Sequence, residues 1–171
     1  DFLYELRKDL GREMLKRYPE YIRKSFGDYD KRRCVLPMLS SIQVIYYRKD
    51  WFENQEMKAM FLGKYGVPLT PPKSWKEYNM ISEFFTQEFN PNSPFVYGTV
   101  ISTNDKNSLI SEFYPRQWAL NGTLVDPWGD LVLRHDGNVR ALNNLRETYR
   151  YCNHNSSHET KDDEMFYEIL H

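Results

Sequence analysis

Residues 71–87 read Pro-Pro-Lys-Ser-Trp-Lys-Glu-Tyr-Asn-Met-Ile-Ser-Glu-Phe-Phe-Thr-Gln, and their pattern decides the fold. Two prolines restrict the backbone and make a stiff lead into Lys73 and Ser74. The Ser74 hydroxyl can accept a hydrogen bond from a backbone N–H in the first turn of a helix. The Glu77 carboxylate can reach back to another orphan N–H, which completes a capping box. Trp75, Tyr78, Ile81 and Phe85 then recur at helical spacing on one face. The pattern predicts a capped helix from Ser74 to about residue 87, with the Trp75 ring largely buried.

On either side of this helix lie two apolar runs. Residues 42–47, Ile-Gln-Val-Ile-Tyr-Tyr, contain Gln43 as their one polar member. A short run rich in β-branched and aromatic residues suits a strand buried on both faces. Residues 95–101, Phe-Val-Tyr-Gly-Thr-Val-Ile, make a second strand candidate interrupted by Gly98. A further helix is expected over residues 138–151, turning Val139, Leu142, Leu145 and Tyr149 inward, with Gly137 in the turn before it. Leu3, Leu6, Leu10, Met14 and Tyr18 mark an amphipathic helix at the start. Residues 126–130, Asp-Pro-Trp-Gly-Asp, read as a turn, and residues 153–163 as a polar surface loop. Strands alternating with helices predict an α/β domain.

The chain has 171 residues, enough for one domain with a sizeable core. Its aromatic content of 16% excludes a disordered chain. The net charge of −1 lacks the basic surplus that neutralises phosphates, so no nucleic acid is expected as a partner. No apolar run is long enough to cross a bilayer. The first residues carry no signal-peptide pattern and the last stop in mid-pattern, so the sequence reads as a segment of a longer protein.

Cys34 and Cys152 stand far apart, either as isolated core residues or as one long-range disulfide. Asn121-Gly122-Thr123 and Asn155-Ser156-Ser157 fit the glycosylation triplet, which is common by chance and carries no such meaning in a bacterial protein. His154, His158 and Asp162 are spaced by four, but the surrounding residues read as a loop, so no metal site is expected there. No nucleotide-binding, nucleophile-elbow or metalloprotease motif is present. The carboxylates are scattered rather than paired. No catalytic acid/base pair can be picked out from them, so no residue is assigned a catalytic role, and no cofactor is expected.

Four stretches in order carry a resemblance. VLPMLSSIQVIYYRKDWFE, residues 35–53, looks like a proline followed by variable residues and then apolar-Tyr-Tyr-Asn-Lys-Asp-Leu-Phe, with Arg48 in the place of the Asn. PPKSWKEY, residues 71–78, matches P-P-K-T-W-x-E-F. WALNGTLVDPWGD, residues 118–130, resembles Trp-x-x-Gly-Gly-x-Leu-x-Asp-x-x-Gly, with Asn121 for the first Gly. Asn tolerates left-handed backbone angles, so that turn can survive. NVRALNNLRETYRY, residues 138–151, looks like the helix after that turn. Together they resemble the family 1 extracellular solute-binding proteins of ABC transporters, the maltose-binding-protein-like group, over roughly residues 30–152.

The resemblance implies an α/β fold, one lobe with its hinge-proximal part of a type II periplasmic-binding-protein architecture. Residues 1–30 would be a helical segment from the end of the first lobe or the approach to the hinge. Residues 31–171 would be the second lobe, lacking its later part. The implied function is capture of a small solute, with a sugar as the first expectation, for an ABC permease, in a periplasmic or membrane-anchored extracellular protein. A ligand-sensing domain of a transcription regulator or sensor kinase, and a carbohydrate-active enzyme, are the alternatives. Sugar sites pair flat aromatic rings with polar side chains. Tyr114 and Trp118 are therefore the stacking candidates, and Glu112 and Arg116 the hydrogen-bonding candidates, beside the family's glycine turn. Ser40 and Ser41, which come after the hinge proline, Pro37, are further ligand-binding candidates. Ser41 stands where the maltose-binding branch presents a carboxylate, which argues against maltose in particular. Trp51, Trp75, Phe84 and Phe85 are expected in the core.

Overall fold

The structure, a computed structural model, describes residues 16–22, 28–29, 32–33, 42–102 and 105–153. The chain divides into two compact units, residues 1–46 and residues 47–171. In the first, residues 20–22 are helical, and β1 (Asp28–Tyr29) pairs antiparallel with β2 (Arg32–Arg33), Asp28 opposite Arg33 and Tyr29 opposite Arg32. The described residues of the second unit form helices α1 (Lys49–Glu53), α2 (Gln55–Tyr65), α3 (Trp75–Phe84), α4 (Lys106–Ala119) and α5 (Asp136–Tyr149).

This architecture overturns the α/β expectation, and the type II lobe with it. The regular structure of the described residues is mainly helical, and their strand pairing is confined to the two-residue rungs of β1 and β2 and one bridge, Val125 to Leu131. Residues 42–47 belong to no helix or strand. Ile42, Val44, Ile45, Tyr46 and Tyr47 are exposed, Ile42 at 74%. β-Branched and aromatic residues favour a strand only where a neighbouring strand and a covering surface receive them; the described residues offer this run no neighbouring strand, and Tyr47 at its end meets the Phe52 ring at 4.9 Å. Residues 95–101 are not a strand either. They cross α3 as an irregular segment, held by bonds from Gly98 N to the Thr86 hydroxyl at 3.0 Å and to Tyr151 O at 3.1 Å.

Local signals set the helix ends. Asn54 caps α2, its side chain accepting from Glu56 N and Met57 N, and Gly66 closes that helix at φ 72°, an angle that favours glycine. Ser74 caps α3 by accepting from Glu77 N at 3.2 Å. Glu77 reaches back as a capping box requires, but to Lys73 N, at 2.7 Å, one residue before the cap. The helix stops at Phe84 rather than near residue 87, because side chains take its last carbonyls. The Thr86 hydroxyl donates to Ser82 O, Asn90 to Phe84 O and Ser93 to Phe85 O, at 2.7, 2.8 and 2.7 Å.

The apolar core is Met57, Phe61, Leu69, Ile81, Phe84 and Phe85, walled by Trp51, Phe52, Met60, Tyr65, Met80 and Phe95. Phe61 and Phe84 meet edge to face at 5.1 Å. Burying each is worth about 1.5–3 kcal/mol. As expected, Trp51, Phe84 and Phe85 lie in or against this core, whereas Trp75 is half-buried.

Helix α5 lies against α3 and α4, but not through the expected face. Leu145 is buried, yet Val139, Leu142 and Tyr149 are exposed. The inward residues are Gly137, Asn138, Ala141, Leu145 and Thr148. The helix is rotated because the surface it meets is polar, and Asn138 and Thr148 bond to it.

Gly98 is where a close approach is needed. An added Cβ would lie 1.9 Å from Ser82 O, whereas one at Gly63 in α2 would meet nothing within 4 Å. Gly98→Ala is expected to lower the urea midpoint, costing about 1–3 kcal/mol. Gly63→Ala is expected to raise it by about 0.5–1 kcal/mol by removing helix-interior glycine.

Candidate functional site

Helix α4 carries four of the expected binding residues, and its placement begins at its cap. The Asp105 carboxylate accepts from Asn107 N at 2.7 Å, Ser108 N at 3.2 Å and the Ser108 hydroxyl at 2.6 Å. These bonds, the Ser108 hydroxyl first, hold its carboxyl below the usual range. Two turns later the helix faces in two directions. Residues two apart on a helix are separated by about 200°, so Arg116 points away from both Tyr114 and Trp118.

The inner direction is polar. Arg116 is 0% exposed. Its Nη1 donates to Glu112 O at 2.6 Å and to the Glu112 carboxylate at 2.9 Å. Its Nε donates to Asn144 Oδ1 at 3.2 Å, and its Nη2 lies 3.5 Å from the Thr148 hydroxyl. The guanidinium carbon sits 4.0 Å from the centre of the Trp75 ring, a cation–π contact. Asn144 in turn donates to Trp75 O at 3.3 Å. Asn79 donates to Asn144 O at 3.1 Å and accepts from the Thr148 hydroxyl at 2.6 Å. One buried network thus joins α3, α4 and α5. Beside it Tyr78 pairs with the Thr99 hydroxyl, and burial pushes the Tyr78 phenol up to about 12.

The outer direction is aromatic. Tyr114 and Trp118 stack with centroids 5.4 Å apart and planes within 3° of parallel. Tyr114 is half-buried, and Trp118 is 68% exposed. Immediately beyond, the helix ends in a Schellman motif: Asn121 N donates to Trp118 O at 3.1 Å and Gly122 N to Gln117 O at 2.7 Å. Asn121 takes the left-handed conformation expected of it, φ 57°. An added Cβ on Gly122 would lie 2.5 Å from Asn138 Oδ1, and one on Gly137 2.5 Å from Gly122 N, so the two glycines let α5 approach closely.

Asn138, buried, organises the turn after α4. Its Oδ1 accepts from Gln117 Nε2 at 2.8 Å. Its Nδ2 lies within hydrogen-bonding reach of the carbonyls of Thr123, Val132 and Leu133, at 2.7, 3.1 and 3.2 Å. The expected turn at residues 126–130 is present, with Gly129 at φ 96° and Asp126 Oδ1 accepting from Trp128 N and Asp130 N, both at 2.9 Å. Trp128 at its tip is 86% exposed.

The structure therefore brings Glu112 and Arg116 together as an ion pair whose guanidinium is committed inside the unit, and turns Tyr114 and Trp118 outward as a stacked pair. Ser40, Ser41, Cys34, His154, His158 and Asp162 lie outside the described residues. Cys152 is a free, buried thiol that donates to Thr148 O at 3.3 Å. Burial, then the Glu112 charge, pushes its pKa up to about 12. Among the described residues no three potential metal ligands cluster, and no helix is long and apolar enough to cross a membrane. Sequence reasoning missed Asn79, Asn138, Asn144 and Thr148. The signal was there in α5, where polar Asn144 and Thr148 stand four apart and so share a face.

Comparison with known proteins found no matching family model, no matching curated protein and no matching solved structure.

Asn138→Ala leaves the Gln117 amide without its acceptor and takes the side-chain donor from the carbonyls of Thr123 and Leu133, while Val132 O keeps the His135 N–H at 2.9 Å. It is expected to cost about 2–4 kcal/mol, since each buried polar group left unpaired costs about 1–3 kcal/mol; urea unfolding measures this. A thiol whose pKa is raised by burial holds little thiolate near neutral pH. Peptide mapping after iodoacetamide treatment is therefore expected to show Cys152 unlabelled in the folded protein and labelled in guanidinium chloride.

Proposed function

We propose that this chain is part of a protein that captures a small solute, a mono- or oligosaccharide, and hands it to an ABC-type permease. The observation that carries the reading is the outward-facing Tyr114–Trp118 stack, with Trp118 68% exposed. An indole held in one orientation by a parallel neighbour offers a flat apolar surface at little cost in side-chain freedom. The apolar face of a pyranose ring stacks on such a surface, as aromatic binding sites generally combine apolar area with fixed geometry. A lone exposed Trp would be ordinary surface; a parallel pair anchored on a helix fixed by a buried network is a more specific arrangement.

The local resemblance of residues 71–78, 118–130 and 138–151 to family 1 extracellular solute-binding proteins, which does not depend on the overturned α/β lobe, supports the same reading and suggests its setting, a periplasmic or membrane-anchored extracellular protein. The action is binding without chemistry. Arg116 does not touch the solute, because Glu112, Asn144 and Trp75 engage it inside the unit. Its part is to hold α4. The net charge of −1 gives no general attraction for nucleic acid.

One aromatic wall leaves much of a sugar in water, where exposed polar contacts add little. Titration of the chain with a sugar panel, followed through backbone amide resonances, which the Trp118→Ala variant also has, is expected to give saturable shifts with a Kd of about 1 mM or weaker, worth about 4 kcal/mol. Trp118→Ala is expected to abolish binding. The absence of a shift with every sugar, or sugar binding unchanged in Trp118→Ala, would contradict the proposal.

A further inference from the structure

The turn after α4 contains a reactive pair that the sugar reading does not use. Asn121-Gly122 is the one Asn-Gly dipeptide in the sequence. In such a pair the backbone nitrogen of the glycine can attack the asparagine side-chain carbonyl, because glycine has no side chain to hinder ring closure. The Gly122 N to Asn121 Cγ bond forms, the Gly122 N–H proton is lost, and the Cγ–Nδ2 bond breaks with release of ammonia. Water then opens the succinimide at either carbonyl, giving aspartate or isoaspartate. The balance is asparagine plus water to aspartate or isoaspartate plus ammonia, with no other reactant.

In the folded chain the attacking nitrogen is engaged. Gly122 N donates to Gln117 O at 2.7 Å as the long bond of the Schellman motif. Gly137 is packed so closely on it that an added Cβ would lie 2.5 Å away. The preceding carbonyl, Leu120 O, accepts from Arg140 Nη2 at 3.1 Å. Asn121 itself is exposed and held at φ 57°. Water reaches the electrophile, whereas the nucleophile is tied to the helix end.

We propose that Asn121 is a site of spontaneous deamidation gated by the C-terminal cap of α4. Conversion proceeds from states in which that last turn has opened, so its rate reports the local opening of the element that carries Trp118. The products then keep the turn loosened. Isoaspartate routes the main chain through an extra methylene and cannot reproduce the cap. Aspartate places a negative charge at a helix C-terminus, where the helix dipole disfavours it.

The test is incubation of the full chain at mildly alkaline pH, in buffer and in guanidinium chloride, with peptide mapping for the one-dalton mass gain and for isoaspartate at residue 121. Asn121 is expected to convert at least about tenfold more slowly in buffer than in denaturant. Gly137→Ala, which crowds Gly122 N, and the surface variant Arg140→Ala, which frees Leu120 O, are each expected to accelerate conversion in buffer severalfold. Asn121→Gly is expected to retain the helical circular dichroism signal and to show no conversion. Equal rates in buffer and denaturant would overturn the proposal. So would an Arg140→Ala protein of unchanged helicity that converts no faster than the parent.

Discussion

A guanidinium with no exposure to water is the constraint on which the second unit depends. Removing the Arg116 charge from solvent is costly unless its donors are met and a counter-charge is near. Glu112 supplies the charge from the same helix, and Asn144 and Thr148 supply acceptors from α5. Trp75 supplies a ring face from α3, a contact worth about 2 kcal/mol where water is excluded. Because the partners come from three helices, satisfying one side chain fixes the relative placement of all three. Asn79 and Asn144 extend the same condition to α3 and α5 directly. The apolar core of α2 and α3 adds burial, but it does not reach α4 in this way.

That arrangement inverts the usual division of a helix surface. On α4 the charged and amide side chains of Arg116 and Gln117 are the buried ones, while the indole of Trp118 is outside. An inward polar network has few alternative packings that satisfy all its members, and the outward rings therefore sit on a fixed support. The Schellman turn and the Gly122–Gly137 approach finish the same job at the end of the helix, bringing Asn138 against Gln117.

The features legible in the sequence are local. The Ser74 cap, the left-handed Asn121 and the Asp126–Asp130 turn each need only a few neighbouring residues, and each is present. Pairing and facing are not legible. Residues 42–47 and 95–101 have strand-forming residues, but strand formation depends on partners that composition does not reveal. Helix α5 is legible nearly to its ends, yet its expected face is the wrong one. Ranking its positions by apolarity favours Val139, Leu142 and Tyr149, whereas the surface it meets selects Asn138, Ala141 and Thr148. Arg116 reads as a ligand contact in the sequence because it stands among aromatic and polar residues beside the glycine turn of the resemblance; arginine is almost never fully buried unless paired, and its pairing is visible only in three dimensions. For the stacking candidates the distance of four residues between Tyr114 and Trp118 already places them on one face, and which face meets solvent is set by Arg116.

The most direct test of this account is a double-mutant cycle between Arg116 and Trp75. Arg116→Met and Trp75→Leu, alone and together, are unfolded in urea and the coupling free energy taken from the four stabilities. If the buried guanidinium joins α3 to α4 through the ring face, the coupling is at least about 1 kcal/mol favourable. Additivity of the two substitutions within about 0.3–0.5 kcal/mol would contradict it, and Arg116 would then be a passenger in a unit held together by its apolar core.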